Sequence, residues 1–144
     1  MEINIIENLN QLNLIDDLID EKKEEIEALK EEKYQLKSIE IKDKIQNSKI
    51  TGIETIIITI DERIESISKQ LEELLKNKFF WNSVIDNLDN TEKKIIKLKY
   101  FQSCSMEYIA RELKYSAPHI YRIHDKAIKK IYKMIENNQK MKIS

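Results

Sequence analysis

The side chains best suited to specific chemistry lie close together in the last third of the chain. Arg122 has a forked guanidinium that can bond both acceptors on a guanine edge, a contact worth about 1 to 3 kcal/mol against a wrong base. Lys126, Lys129 and Lys130 suit phosphate contacts that position a helix on DNA. Tyr121 suits packing on the sugar-phosphate backbone or on a thymine methyl, and suits a half-buried aromatic position equally well. These residue types indicate nucleic-acid recognition.

Two helices joined by a tight turn must position these side chains. Ser105 can cap the first helix, Lys114 and Tyr115 form the turn, and Ser116 can cap the second, with Pro118 in its first turn where a missing N–H costs nothing. Apolar residues recur at helical spacing in both segments, at Met106, Ile109, Ala110 and Leu113 and then at Ile120, Ile123, Ala127, Ile128 and Ile131. The small side chains of Ala110 and Ala127 allow the helices to cross closely. The pattern predicts a helix-turn-helix, although an ordinary helical hairpin has the same spacing.

In a helix-turn-helix, the outward N-terminal part of the second helix enters the major groove. The expected DNA contacts are therefore the outward residues of the second predicted helix and its cap: Ser116, Ala117, His119, Tyr121, Arg122, Lys126, Lys129 and Lys130.

Charge is divided unequally along the chain, and this division supports the same interpretation. Residues 91–144 contain 13 Lys and Arg against 5 Asp and Glu, a net charge of +8, whereas residues 1–90 contain 12 against 21, a net charge of −9. A basic segment neutralises DNA phosphates, while a solvated basic helix face would give a similar count.

Catalytic, metal and cofactor sites are not expected. His119 and His124 are five residues apart in the same predicted helix, so they do not share a face as a metal-binding pair would. A single cysteine, Cys104, and a single glycine, Gly52, exclude a CxxC pair and a glycine-rich phosphate loop. The sequence therefore predicts a non-enzymatic protein without cofactors.

The N-terminus lacks a signal-peptide pattern and no uninterrupted apolar run reaches membrane-spanning length, so a cytoplasmic location is expected.

Ser105 to Ile131 resembles region 4 of the primary sigma-factor family, in the capping residue followed by "MEYIA", the later "L" and "S", the "YRI" and the final alanine with its aliphatic neighbour. The upstream "LDNTEKKIIKLKYFQ" also resembles the helix that precedes this unit in sigma factors. The resemblance implies promoter DNA and RNA polymerase as partners. Ala117 and Pro118 replace the charged residues usual in that part of the family, and no promoter-melting region is visible, so an activator or accessory factor is expected rather than a complete sigma factor.

The whole chain, a charged helical arm ahead of this module, is similar to short phage-encoded late transcriptional regulators of the RinA and ArpU type. The "YSAPHIYRIHDKAIKKI" segment, Tyr115 to Ile131, is the specific part of that likeness. It implies regulation of late or packaging genes of a phage or prophage.

The first half of the chain predicts long helices, because only one Gly and one Pro interrupt 144 residues. One helix is predicted from about Leu9 to Gln46, with Lys22 and Lys33 interrupting its apolar seam, and a turn is predicted around Gly52. The second helix has apolar residues on alternating steps of four and three, namely Ile53, Ile57, Ile60, Ile64, Ile67, Leu71 and Leu74, continuing through Trp81, Ile85 and Leu88. That heptad seam favours helix over a strand in "TIIITI".

The predicted architecture is all-α, with a helical coiled-coil arm at residues 1–78 and a helix-turn-helix DNA-binding domain at residues 79–144. The arm suits either an antiparallel hairpin within one chain or a parallel coiled coil between two chains, and the latter would make a homodimer. The aromatic cluster Phe79, Phe80 and Trp81 is expected in the core, at the joint where the arm meets the C-terminal module, rather than as an exposed binding patch. The predicted function is sequence-specific, DNA-binding transcription regulation. The alternatives are a protein that binds polymerase or another regulator, and a small terminase-like DNA-packaging component.

Overall fold

The protein is all-α, as predicted. The computed structural model describes residues 4–46 and 51–143, and no strand occurs among them. None of the helices in these two ranges is long and apolar enough to cross a membrane. The six α-helices are α1 (Ile5–Asn10), α2 (Leu12–Gln46), α3 (Thr51–Asp86), α4 (Asn90–Ile96), α5 (Met106–Leu113) and α6 (Ala117–Ile143), with a π-helical turn (Lys97–Phe101) directly after α4.

The first half of the chain differs from the prediction at two helix ends. The helix expected from about Leu9 is divided at Gln11 into α1 and α2. The side chain of Asn4 caps α1 by accepting a hydrogen bond from the Glu7 backbone N–H at 3.1 Å. Gly52 lies in the first turn of α3 rather than in a loop, and residues 47–50, the rest of the predicted turn, lie outside the described residues.

The chain divides into two compact units, which differ from the predicted arm and domain. One unit, here called the module, comprises residues 4–16 and 77–143, and the other, here called the arm, comprises residues 17–76. The sequence predicted that the arm would begin at the N-terminus. The structure places the first helix in the module instead, because Ile5 and Leu9 are buried in the module's core, with Leu9 fully inaccessible.

Two apolar clusters hold the module together. The larger joins the N-terminal segment, the end of α3, the end of α4 with the π-helical turn, and the middle of α6. It consists of Ile5, Leu9, Leu12, Trp81, Val84, Ile85, Leu88, Ile96, Tyr100, Ala127, Ile131 and Ile135. The smaller joins α4, α5 and the start of α6, and consists of Ile95, Met106, Ile109, Ala110 and Ile120. Both clusters contain residues of α6, so the position of that helix depends on both.

The arm is an antiparallel helix pair within one chain. Lys33 Nζ on α2 lies 2.6 Å from Asp61 Oδ1 on α3, and residues 25–32 of α2 share a groove with residues 60–67 of α3. The predicted seam is the packed face, because Ile26, Ile57, Ile60 and Ile67 are buried. Lys33 interrupts that seam, as the sequence indicates, and its charge is met across the pair by the Asp61 carboxylate.

The three consecutive aromatic residues near the end of α3 do not share one environment. Trp81 is buried, and Phe80 is partly buried with its ring in an edge contact to Trp81 at 5.4 Å between centroids. The expectation that all three are core residues is wrong for Phe79, which is 75% exposed. Three successive residues point in three directions on a helix, so one apolar face cannot contain them all.

Candidate nucleic-acid interface

The angle between α5 and α6 is fixed by a turn of two residues. Lys114 adopts the left-handed conformation with φ 61°, and the Tyr115 N–H donates to the Ala110 carbonyl at 2.9 Å, which closes the end of α5. The Ser105 hydroxyl accepts from the Tyr108 N–H at 3.1 Å, and the Ser116 hydroxyl accepts from the His119 N–H at 3.3 Å. Both predicted serine caps are therefore present, and they satisfy backbone donors that each helix start would otherwise leave unpaired.

The inner faces of the two helices meet where the sequence predicts a close crossing. Ala110 on α5 and Ile120 on α6 lie in the same buried cluster, together with Ile95 from α4. Ala127, the second predicted small residue, is fully buried in the larger cluster. The cluster around Ala127 contains no residue of α5, so Ala127 does not lie at the crossing of α5 and α6. A larger side chain at Ala110 would hold these two helices apart, so this packing determines how α6 is presented to solvent.

The outer face of α6 presents a basic stripe, defined here as Arg122, Lys126 and Lys129. All three side chains are exposed, and their spacing of four and three residues puts them on one side of the helix. Neither Arg122 nor Lys129 has an ion-pair partner in the described part of the chain. Tyr121 is 46% exposed on the flank of the same helix. The stripe thus offers cations that the fold itself does not use.

Three predicted contact residues at the start of α6 have structural contacts of their own. Ser116 is the cap described above, and Ala117 packs partly buried against the smaller apolar cluster. His119 is half-buried, with its ring in an edge contact to Tyr115 at 5.0 Å between centroids. Of these three, His119 keeps a ring that borders solvent beside the basic stripe.

Lys130, predicted as a phosphate contact, is turned toward α4. Its Nζ donates to Glu92 Oε1 at 2.7 Å and lies 3.8 Å from Asp89 Oδ2. The hydrogen bond that Lys130 donates to the Glu92 carboxylate and the negative charges of Glu92 and Asp89 raise the pKa of Lys130, against a smaller opposing effect of burial. The Glu92 side chain is 1% exposed, so this ion pair joins α4 to α6 inside the module. The structure places Lys130 in the fold rather than on the basic stripe.

Glu92 is absent from the predicted site residues, although the sequence contains a signal for it. The spacing Asp89-x-x-Glu92 ahead of an apolar run is the signature of a capping box. The structure has both halves of it, with the Glu92 N–H donating to Asp89 Oδ1 at 2.9 Å and the Asp89 N–H donating to Glu92 Oε1 at 3.2 Å. The hydrogen bond from the Glu92 backbone is the main reason that the pKa of Asp89 is lowered.

A buried polar contact links α6 to the π-helical turn. The Tyr100 hydroxyl lies 2.6 Å from His124 Nε2, and His124 Nδ1 lies 3.1 Å from Asp125 Oδ1. Burial raises the pKa of Tyr100 to about 12, and the charge of Asp125 adds to the effect. Tyr100 is therefore a neutral phenol at physiological pH. Its hydroxyl donates a hydrogen bond to His124 Nε2 in the tautomer that carries the ring proton on Nδ1, toward Asp125. No sequence signal indicates this contact, because the π-helical turn that carries Tyr100 interrupts the helical period.

A groove of about 470 Å³ lies between the N-terminal end of α4 and the first turns of α6. Its walls include Asp89, Thr91 and Glu92 on one side and Tyr115, His119 and Lys126 on the other. Acidic and basic groups therefore face each other across it. No group of three or more His, Cys, Asp or Glu residues placed to hold a metal ion occurs in residues 4–46 and 51–143.

Comparison with known protein families agrees with this geometry. The family described as sigma-70, region 4 matches residues 84–133, which run from the last turn of α3 through most of α6. The match spans 50 of the 144 residues and contains the capping box, the turn and the basic stripe. No curated protein and no solved structure matches the chain. The C-terminal part of the module is thus a sigma region 4-like helix-turn-helix, a type of domain that binds DNA.

Proposed function

We propose that the protein is a sequence-specific, DNA-binding transcription regulator that inserts the N-terminal half of α6 into the major groove. The observation that carries the proposal is the basic stripe, because its three cations are exposed on a helix whose angle is fixed by both core clusters. A recognition helix can contact base edges specifically when its orientation is fixed and the side chains of its outer face are free of partners within the protein.

The roles within the stripe follow from side-chain chemistry and position. Arg122 is one helical turn and a half from the start of α6, where a recognition helix meets base edges, and it reads guanine. Lys126 and Lys129 lie further along the helix and bind phosphates, while His119 and Tyr121 flank the stripe. Lys130 supports the helix through Glu92, and Ser116 and Ala117 hold its first turn.

The proposal extends to the biological setting that the sequence resemblance implies. The Tyr115 to Ile131 segment supports regulation of late genes of a phage or prophage, and the region 4 likeness supports contact with RNA polymerase. We propose the module, residues 4–16 and 77–143, as the DNA-binding domain in place of residues 79–144. We also propose that the arm joins two copies of the chain, so that the regulator binds DNA as a homodimer.

Selection of operators from a random DNA pool tests this function directly. The purified full-length protein is used at several salt concentrations, because the phosphate contribution weakens with salt while base discrimination persists. A defined enriched motif is expected. Enrichment of no motif, with binding that disappears at moderate salt, would contradict sequence-specific recognition and favour an interaction protein that uses the basic helix only as an electrostatic anchor.

A matched pair of variants tests the assigned roles. Arg122→Ala should reduce discrimination at one base-pair position by about 5-fold to 150-fold, the equivalent of 1 to 3 kcal/mol. Lys129→Ala should weaken binding to all sequences alike and lower the salt-dependence slope by about 0.9. Both are measured by fluorescence anisotropy on the selected operator and on single-base variants. An equal loss of discrimination in both variants would refute the assignment.

A further inference from the structure

One side of the arm carries a groove that is built from both of its helices. The groove has a volume of about 430 Å³ and is lined by Glu25, Ala28, Leu29 and Glu32 of α2 and by Ile60, Arg63 and Ile67 of α3. Ile60 and Ile67 are buried at its base, and Leu29 is half-buried. Because Ala28 is small, the α2 wall of the groove is low and leaves this apolar base open to an incoming helix.

The apolar surface continues from the groove toward the helix connection. Ile39 is seven residues beyond Glu32 on α2, and Ile56 is seven residues before Arg63 on α3, so each lies on the same side of its helix as the groove. The contact between Lys33 and Asp61 sets the register of the antiparallel pair and brings Ile39 and Ile56 opposite each other. They are 48% and 47% exposed. Two isoleucines exposed side by side extend the apolar base of the groove into a longer strip.

Charge is nearly absent from the α3 side of this surface. The exposed positions that share the face at helical spacing are Ile56, Thr59, Arg63, Ser66 and Gln70. The opposite side of α3 carries Asp61, Glu65, Lys69, Glu72 and Lys76, and Glu62 and Glu73 lie at the edge of the groove face beside Ser66. A solvated helix face has the second composition, whereas depletion of charge around an apolar strip is typical of an interface.

Two of the charged residues that line the groove, Glu32 and Arg63, have no ion-pair partner in the described part of the chain. By contrast, Glu25 lies 3.5 Å from Lys22. Arg63 is the single arginine of residues 17–76, among ten lysines. Arginine is enriched in interface cores, since its planar fork binds a carboxylate through two hydrogen bonds.

We propose that a second copy of the chain docks on this groove face, defined as Ala28, Leu29, Glu32, Ile39, Ile56 and Arg63, to form a two-fold symmetric four-helix bundle. The occupant is a second copy because the acid lies on the α2 wall and the base on the α3 wall. A two-fold axis parallel to the arm helices places α2 of each copy over α3 of the other, so that Arg63 of each copy meets Glu32 of the other and both charges are paired by one operation. The inference names the surface of the homodimer included in the proposed function.

The molar mass of the full-length protein in solution is the direct measurement. Sedimentation equilibrium without DNA should show a concentration-dependent change from the chain mass of 17.2 kDa to twice that value. A monomer at every concentration would overturn the inference. Because DNA is absent, this result is independent of operator selection, and either proposal can fail while the other holds.

Two isoleucines two residues apart provide a matched test of the surface. Ile56→Lys places a charge on the groove face, whereas Ile58→Lys places the same charge on the far side of α3, where Ile58 is 59% exposed. Both isoleucines are about half exposed in the monomer, so neither substitution buries a lysine there. The dimer dissociation constant should rise at least tenfold for Ile56→Lys and stay within about twofold for Ile58→Lys. Equal effects would show that the dimer uses another surface.

Charge reversal tests the reciprocal pair without changing the apolar strip. Arg63→Glu alone and Glu32→Arg alone should each weaken the dimer, because each creates two like-charge contacts across the two-fold axis. The double variant should restore the wild-type dissociation constant. Failure of that rescue, with helicity by circular dichroism equal to wild type, would overturn the pairing of Arg63 with Glu32.

Discussion

The buried contact between Tyr100 and His124 gives a pH-dependent prediction for the stability of the module. The Tyr100 side chain is 3% exposed and that of His124 is 8% exposed, and the hydroxyl lies 2.6 Å from Nε2. Tyr100→Phe removes the donor but keeps the ring in the larger core cluster. His124 Nε2 then lacks its partner in a position that water reaches poorly. Loss of one partner of a buried hydrogen bond costs about 1 to 3 kcal/mol, so the variant should be less stable by that amount at pH 7.

The pKa of Tyr100 determines how this difference changes with pH. Its value in the folded protein is about 12, while an unfolded tyrosine has a pKa of about 10. The folded state therefore disfavours the tyrosinate. The stabilisation from the neutral phenol is complete below about pH 10 and is lost as the pH rises toward 12, to a total of about 2 to 3 kcal/mol. Tyr100→Phe has no such group, so the stability difference between wild type and variant should shrink over that interval.

Urea unfolding followed by circular dichroism at several pH values between 7 and 12 measures both effects. Lysines and other tyrosines titrate in the same interval, but they are common to both proteins and cancel in the difference. Tyr132→Phe is the control, because Tyr132 is 45% exposed on the same helix as His124. The reasoning is refuted if Tyr100→Phe costs less than the control at pH 7, or if its difference from wild type is constant from pH 9 to pH 12.

Three other perturbations have definite expected outcomes. Lys130→Ala should lower the urea midpoint, since it leaves the Glu92 carboxylate buried without its cation. Substitution of the exposed neighbour, Lys129→Ala, should leave the midpoint unchanged. A larger fall of the midpoint for Lys129→Ala than for Lys130→Ala would contradict the structure. Lys114→Gly should stabilise the protein by about 1 kcal/mol in the same unfolding assay, because a left-handed conformation is strained for a residue with a Cβ. Leu9→Ala should destabilise the module by about 2 to 5 kcal/mol through a cavity in its core, and a cost below 1 kcal/mol would show that α1 is not part of that core.

Most of the helices could be predicted from local sequence patterns. The helix-turn-helix is defined by two serine caps, a two-residue turn and apolar residues at helical spacing, and each of these signals acts within a few residues. The arm is defined by one heptad seam on α3. Such features depend on backbone geometry and on the separation of apolar from polar faces, and both can be read along the chain.

The arrangement of the N-terminal segment could not be predicted in the same way. Ile5 and Leu9 have the spacing of any amphipathic helix, and that spacing is equally suited to continuing the arm. Their burial depends on an apolar surface formed by residues more than seventy positions later, including Trp81 and Ile131. A sequence pattern shows which face of a helix is apolar, but not which of two available apolar surfaces will cover it.

The net charge of a segment overestimates the number of cations that it can offer to DNA. Residues 91–144 carry a net charge of +8, but the structure divides their cations between two uses. Lys130 meets Glu92 within the module, and Lys93 lies 3.8 Å from Asp86. A buried or partnered lysine adds to the count and contributes little to a phosphate contact, because its charge is already compensated. The cations available to DNA are those with neither internal partner nor burial, and among the described residues of α6 this criterion retains Arg122, Lys126, Lys129 and Lys133 and excludes Lys130. Spacing alone cannot make that selection, since Lys129 and Lys130 are adjacent in sequence and differ only in the surface that each one faces.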